Sequence, residues 1–176
     1  WGLIPGTDFN QLNEDVPLSN ILMNTLDNLE KKSIITKDDS DDRKRKMTNY
    51  ETTREFDIVL RLKDPKIIVQ SVFYTSNTGG IASKKTDQNI NTKDIMDEII
   101  PDRQNNLKFI LFLDGPGWVK MADNFQKSVK VSDDFFQIKT TDTKFKRILN
   151  ESGLVCPIDV EVCILEIERE DKKPTK

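Results

Sequence analysis

The amino-acid sequence predicts an α/β protein with a central mixed β-sheet flanked by helices. The first observation is a pair of extended segments, residues 54–62 and 66–75, separated by a short turn. The second is a nearly continuous apolar run at residues 107–113, which is typical of a strand covered on both faces. A sharp turn and an apolar helical face follow this run. Strand, turn and helix in succession indicate packed layers of sheet and helix.

Length and composition indicate one polar but globular domain. The chain has 176 residues, of which 36% are hydrophobic and 32% charged, and its net charge is -3. This charge excludes binding of nucleic acid by bulk electrostatics, so any such contact depends on local clusters of Lys and Arg. We predict a single domain over residues 1–176, with an irregular arm at 1–16, a charged loop at 36–48 and a charged tail at 168–176.

The residue types present limit the chemistry. The chain contains no histidine, which removes His-based acid–base catalysis and His-ligated zinc but leaves carboxylate-bound magnesium. Its two cysteines, Cys156 and Cys163, would face opposite sides of one strand. We therefore expect two reduced thiols and a cytoplasmic protein. No apolar run is long enough to predict a membrane span.

The first half of the chain predicts one helix and one β-hairpin. Apolar residues at helical spacing indicate a helix from Pro17 to about Lys32. Alternating apolar residues at 54–62, followed by an Asp-Pro turn and the segment 66–75, predict two antiparallel strands. Residues 76–91 are polar and are expected to form a loop.

The second half predicts alternating strands and helices. Thr92 is a suitable N-cap for a helix that ends before Pro101. The apolar pattern beyond it predicts, in order, a strand at 107–113, a helix at 118–129, a short strand at 135–138, a helix at 143–150 and a strand at 158–167.

Polar side chains on the predicted hairpin form a candidate metal site. Asp57 lies near the start of the first strand, and the short turn brings Gln70 of the second strand toward it. Their oxygens, with the carbonyl of Ser71 and the carboxylate of Glu30 at the end of the first helix, are ligands that Mg²⁺ accepts. Such an ion polarises a phosphodiester and lowers the pKa of a bound water. Lysine is the usual partner for the negative charge that then develops, and Lys84 or Lys85 can supply it.

Two stretches of the chain carry recognisable motifs. Phe73-Tyr74 is followed by Gly79-Gly80 and Ser83-Lys84, and Asp114-Gly115-Pro116-Gly117-Trp118 lies further along. These stretches resemble the Glu-x-x-Phe-Tyr, Gly-Gly, Ser-Lys and Asp-Gly-x-Gly-Trp motifs of type II restriction endonucleases of the PD-(D/E)xK superfamily that cut GATC sites. The resemblance covers residues 54–130. It implies a restriction-endonuclease-like core, Mg²⁺ as cofactor and double-stranded DNA as substrate.

Two positions depart from the family pattern. Gln70 stands where the family has glutamate, and Val72 stands where it has lysine. An amide oxygen binds magnesium without charge, so weaker binding is expected, and the cation would come from Lys84 or Lys85. Two alternatives to an active enzyme remain open, a catalytically inactive DNA-binding module of the same fold and an inactivated Glu-to-Gln variant. A third is an unrelated interaction protein whose charged loops are solvated surface. The structural alternative for Asp57 is a strand-end acid paired with Arg54 or Arg61.

The resemblance also implies which residues meet DNA and how the chain assembles. Phosphates and base edges are contacted by Lys, Arg, Asn, Gln and Ser side chains. One active site cuts one strand, so cleavage of a palindromic site implies a homodimer. The residues expected to contact DNA are Asn77, Ser83, Lys84, Lys85, Gln88, Asn89, Arg43 and Lys44.

Overall fold

The computed structural model describes residues 12–75 and 79–152. The chain divides into two compact units, one formed by residues 10–138 and the other by residues 1–9 together with 139–176. Within the described ranges, none of the helices combines the length and the apolar character that crossing a bilayer requires. The single domain over the full chain stays a prediction.

Some predicted features fall outside the described residues. These are the strand at 158–167, the tail at 168–176, both cysteines and most of the arm at 1–16. The described end of the arm is not irregular throughout, because it contributes two short strands.

Seven strands lie in the described part of the chain. They are β1 (Leu12–Asn13), β2 (Val16–Pro17), β3 (Glu55–Phe56), β4 (Ile58–Leu60), β5 (Ile67–Phe73), β6 (Lys108–Asp114) and β7 (Asp134–Phe136). Five of them form a mixed sheet in the order β1-β4-β5-β6-β7, and β2 pairs with β3. Neighbours are antiparallel from β1 to β5 and parallel from β5 to β7.

Six α-helices accompany these strands in the described residues. They are α1 (Leu18–Lys31), α2 (Lys37–Met47), α3 (Gly79–Ile99), α4 (Arg103–Asn106), α5 (Ala122–Val131) and α6 (Lys146–Glu151). The first five belong to the unit at 10–138, where α1 contacts α2, α2 contacts α3 and α3 contacts α5. In the second unit, one π-helical turn at Thr141–Phe145 leads into α6. The predicted mixed sheet flanked by helices is confirmed.

The core of the unit at 10–138 explains the apolar patterns in the sequence. The central strands β5 and β6 are buried along most of their length, which is why both read as nearly continuous apolar runs. Helix α1 buries its apolar face in the same core. Its first amide groups donate to backbone carbonyls, Leu18 to Arg54 at 2.8 Å and Ser19 to Thr52 at 3.0 Å. This contact fixes the chain just before β3 against the start of α1.

The predicted charged loop at 36–48 is wrong, because residues 37–47 form α2. The side chain of Thr36 caps this helix by accepting a hydrogen bond from the amide of Asp39. Acidic residues occupy the first turn and basic residues the last turn, an order that complements the helix dipole. The succession of an acidic block and a basic block in this segment therefore indicates a helix, with the acids at its N-terminus and the bases at its C-terminus.

The predicted polar loop at 76–91 is also wrong from Gly79 onward, because α3 begins there. Thr92 lies inside this helix and is not its N-cap. The first half of α3 buries small and polar residues, and Thr86 meets Ser128 of α5 with 3.1 Å between their hydroxyl oxygens. Its last turns bury Ile95, Met96 and Ile99, so an apolar pattern marks only the second half of the helix.

Candidate active site

The register of the β4–β5 hairpin brings Asp57 and Gln70 face to face. Ile58 pairs with Val69, and the same antiparallel alignment carried one step outward places Asp57 opposite Gln70. Gln70 Nε2 donates to Asp57 Oδ2 at 2.6 Å, and the backbone amide of Ser71 donates to the same oxygen. The two side chains therefore touch across the hairpin.

Arg54 links this pair to helix α3. Its Nη2 donates to Gln70 Oε1 at 3.1 Å and to Asn89 Oδ1 at 2.6 Å, and its Nη1 donates to Thr92 Oγ1 at 2.7 Å. The guanidinium carbon lies 5.4 Å from the centre of the Phe56 ring, within range of a cation–π contact. Gln70, Asn89 and Thr92 are all buried. One arginine thus holds together the hairpin and the polar face of α3.

The charges at this cluster nearly balance. Burial lowers the pKa of Arg54 to about 10, and the negative charge of Asp57 opposes that shift. Arg54 therefore stays protonated at neutral pH. Arg54 donates its side-chain hydrogen bonds to neutral oxygen atoms. The negative charge of Asp57 therefore balances the charge of Arg54 from a distance, and Gln70 forms hydrogen bonds with both residues.

Divalent metal fits this cluster through one carboxylate. Both hydrogen bonds to Asp57 end on Oδ2, and within residues 12–75 and 79–152 no hydrogen bond reaches its Oδ1. Mg²⁺ commonly uses one or two carboxylates and completes its shell with water and phosphate oxygens. Asp57 Oδ1 would be such a ligand, whereas the described residues contain no group of three or more Asp, Glu, Cys or His side chains placed to hold a metal.

The other predicted ligands take different positions. Glu30 lies on α1, and its negative charge helps to raise the pKa of Lys44 on α2, after the larger effect of the hydrogen bond that Lys44 donates to Asp27. Ser71 is exposed and gives its amide to Asp57. Val72, at the position of the family lysine, is 6% exposed and supplies no charge.

The two predicted catalytic lysines lie on the first turns of α3, and both are exposed. Lys85 precedes Asn89 by one helical turn and so shares the face that carries Asn89 and Thr92. Lys84 is rotated from that face by about 100°. Lys85 is therefore the lysine whose direction suits the Asp57 cluster.

The predicted DNA-contacting residues separate into two groups. Ser83, Lys84 and Lys85 are exposed on α3 and Gln88 is half-buried, whereas Asn89 is buried against Arg54. Asn77 lies outside the described residues.

Arg43 and Lys44, expected on a loop, are tied into contacts of α2. Arg43 donates to the carbonyls of Glu98 and Ile99 at the end of α3, at 3.3 and 3.0 Å. Lys44 donates to Asp27 at 2.6 Å. Both residues therefore hold helices together.

The two motif stretches meet at the ends of β5 and β6. Tyr74 donates its amide to the carbonyl of Asp114 at 3.1 Å, and Gly117 donates to the carbonyl of Tyr74 at 2.9 Å. The rings of Tyr74 and Trp118 are 4.8 Å apart. Gly115, between them, has a φ of 106°, which few residues other than glycine adopt. The motifs that are distant in sequence form one structural junction.

The mixed sheet flanked by helices, with an acid and an amide meeting across its antiparallel hairpin, is consistent with a restriction-endonuclease-like core. The family model for DpnII restriction endonuclease matches residues 7–147. This match spans most of the chain, so the protein belongs to the DpnII restriction endonuclease family, and the resemblance drawn from its motifs is confirmed. By family it is a nuclease, a hydrolase whose substrate is DNA. No curated protein and no solved structure matches the chain.

Proposed function

We propose that the protein cleaves double-stranded DNA at a specific site, with Mg²⁺ held at Asp57. The observation that carries this proposal is the meeting of Asp57 and Gln70 across the hairpin at 2.6 Å, which leaves Asp57 Oδ1 open to an ion. When bound there, Mg²⁺ would polarise the phosphodiester and lower the pKa of a bound water.

The surrounding residues have separate roles in this proposal. Gln70 and the amide of Ser71 hold Asp57 Oδ2 and so fix the direction of the carboxylate. Lys85 faces the charge that develops on the phosphate, since it shares a helix face with the residues that bind Arg54. Lys84 and Ser83, exposed beside it, contact the DNA backbone.

Assembly and location follow from the same proposal. A specific palindromic site is matched by two-fold symmetry, so the active form would be a homodimer. Its DNA substrate would be met in the cytoplasm. Both statements depend on site-specific cleavage.

The test is cleavage of plasmid DNA by the full chain in Mg²⁺. The variant Asp57→Ala should lower the cleavage rate by more than about a hundredfold, because it removes the carboxylate that holds the ion. Asp123→Ala, which removes an exposed acid from the first turn of α5, is the matched control and should cleave like the parent. Equal cleavage by Asp57→Ala and the parent, with folding retained, would refute the site.

A second candidate function is a DNA-binding module that does not cut. Buried Val72 and neutral Gln70 favour it, because the family places a lysine and a glutamate at these positions. Such a module would retain DNA at low salt and show no cleavage in Mg²⁺ or Mn²⁺. Cleavage restored by Gln70→Glu would identify an inactivated enzyme, and its absence would favour a module that never cut.

A further inference from the structure

The hydrogen bonds around Gln70 fix the orientation of its amide group. A guanidinium group only donates hydrogen bonds, and an ionised carboxylate only accepts them. With Arg54 on one side and Asp57 on the other, a single orientation satisfies both neighbours, with Oε1 toward Arg54 and Nε2 toward Asp57. The reverse orientation would place two donors together at Arg54 and two acceptors together at Asp57.

This orientation keeps Gln70 from acting as a metal ligand. Its oxygen faces a cationic side chain, and the end that faces Asp57 carries hydrogens, which repel a cation. Gln70 is 6% exposed, so turning the amide would leave buried donors and acceptors unpaired. Unpaired buried groups are strongly unfavourable.

Arg54 is itself held in place from the helix side. Asn89 and Thr92, on one face of α3, accept from both of its terminal nitrogens at 2.6 and 2.7 Å. Nη2 is shared between Asn89 and Gln70, so both of its hydrogens are used. The anchored guanidinium therefore presents a fixed donor to Gln70.

We propose that Arg54 is a positioning residue that decides how many ligands the site offers to a divalent cation. By holding Gln70 Oε1, it turns the amide away from the ion and leaves Asp57 as the single side-chain ligand of this cluster. The inference rests on the proposed metal site at Asp57. It assigns Gln70 to the support of Asp57, in place of the ligand role that the sequence suggested.

The experiment measures Mn²⁺ affinity by calorimetry on the full chain without DNA. Four proteins form a double-mutant cycle, the parent, Gln70→Met, Arg54→Met and the double variant. In the parent background, Gln70→Met should weaken affinity by less than about threefold, because Gln70 is not a ligand and the amide of Ser71 still holds Asp57 Oδ2. In the Arg54→Met background the amide is free to turn, and Gln70→Met should weaken affinity about tenfold through loss of an oxygen ligand. An additive cycle, in which Gln70→Met weakens binding equally in both backgrounds, overturns the proposal.

A second measurement does not require metal. In protein labelled with ¹⁵N at glutamine, the side-chain amide hydrogens of Gln70 should be protected from exchange with solvent and widely separated in chemical shift. Arg54→Met should abolish this pattern, and Arg54→Lys, which keeps a donor, should restore part of it. Rapidly exchanging, unseparated hydrogens in the parent would overturn the proposal even if Arg54→Met failed to fold.

If the proposed metal site at Asp57 is wrong, the measurements differ from those expected if only the role of Arg54 is wrong. If Asp57→Asn leaves Mn²⁺ affinity unchanged, the ion binds elsewhere and the proposed active site is wrong, while the glutamine spectrum still reports the role of Arg54. If Mn²⁺ binds Gln70→Glu but not the parent, the inactive alternative is favoured, because a second carboxylate is then needed to hold the ion, and the glutamine spectrum decides the role of Arg54.

Discussion

Gly115 shows how one residue joins the two motif stretches of this chain. A Cβ atom at this position would lie 2.2 Å from the carbonyl oxygen of Tyr74, and the backbone has a φ of 106°. We expect Gly115→Ala to lower the free energy of unfolding by about 2–4 kcal/mol, since it adds both a clash with backbone and conformational strain. Urea unfolding followed by circular dichroism measures the change.

Gly80 provides the matched control for that substitution. A Cβ atom there meets nothing within 4 Å, and the residue lies in the first turn of α3. Gly80→Ala should therefore keep stability or raise it by up to about 1 kcal/mol, because alanine favours the helix. If both alanine variants had the same stability, close approach at Gly115 would not be important.

The sequence predicts the meeting of Asp57 with Gln70 and offers Arg54 as a partner of Asp57, but it does not predict that helix α3 holds Arg54 in place. The first depends on strand alternation and a short turn, which are local features. The second depends on Asn89 and Thr92, which are 35 and 38 positions away from Arg54. No local pattern reports that a helix places its polar face against one arginine, so this part of the site emerges only from the packing.

The helical segments that the sequence analysis missed show a similar limit of prediction from sequence, at the level of secondary-structure elements. Helix α2 has little apolar surface and depends on its cap and on charges that suit its ends. The first half of helix α3 packs through small and polar side chains, among them Asn89 and Thr86, which hydrogen-bond to Arg54 and Ser128. Apolar periodicity identified α1 and both central strands, because these bury apolar faces. It misses helices that are held by hydrogen bonds.

A buried arginine at the start of α4 ties several elements together. Arg103 is 4% exposed and binds Asp97 of α3, the carbonyl of Leu107 and both oxygens of Asp133. Asp133 also accepts from the amide of Phe109 in β6 at 2.7 Å. These contacts join α3, α4 and β6 to the residue just before β7.

Removal of the Arg103 side chain should strongly destabilise the fold. We expect Arg103→Met to lower the free energy of unfolding by about 3–5 kcal/mol, because the largely buried carboxylate of Asp133 loses its partner. Arg45→Met removes an exposed pair with Asp42 and should cost less than about 1 kcal/mol. Thermal and urea unfolding of the two variants test the contrast, and similar losses would contradict a structural role for Arg103.

Asp97 gives this junction a dependence on pH. Burial alone would raise its pKa, but hydrogen bonds from Lys93 and Arg103 outweigh burial and lower it. A carboxyl whose pKa is lower in the folded state stabilises the fold above its unfolded pKa of about 3.9, and this stabilisation is lost as the pH falls through the folded value. Stability should therefore fall below about pH 4, and less steeply in Asp97→Asn. An unchanged slope in that variant would show that Asp97 is not perturbed.

The chain as a whole carries a net charge of -3, although its family acts on DNA. A negative protein binds a polyanion through local cations, because the counterions released depend on the phosphates actually contacted. Some lysines are already neutralised within the fold, as Lys44 is by Asp27. Lys84 and Lys85, at the start of α3, are exposed and form no ion pair within residues 12–75 and 79–152, and Lys85 lies one helical turn before Asn89, which binds Arg54.

DNA affinity at several salt concentrations distinguishes these two kinds of lysine. Lys85→Ala should weaken binding across DNA sequences and reduce the slope of log affinity against log salt by about 1, the change expected for one phosphate contact. Lys44→Ala removes the same charge from the chain but should leave the slope unchanged, since Lys44 is held by Asp27. Measurement in Ca²⁺ prevents cleavage from interfering with binding. Equal slopes for the two variants would mean that bulk charge, and not the start of α3, determines contact with DNA.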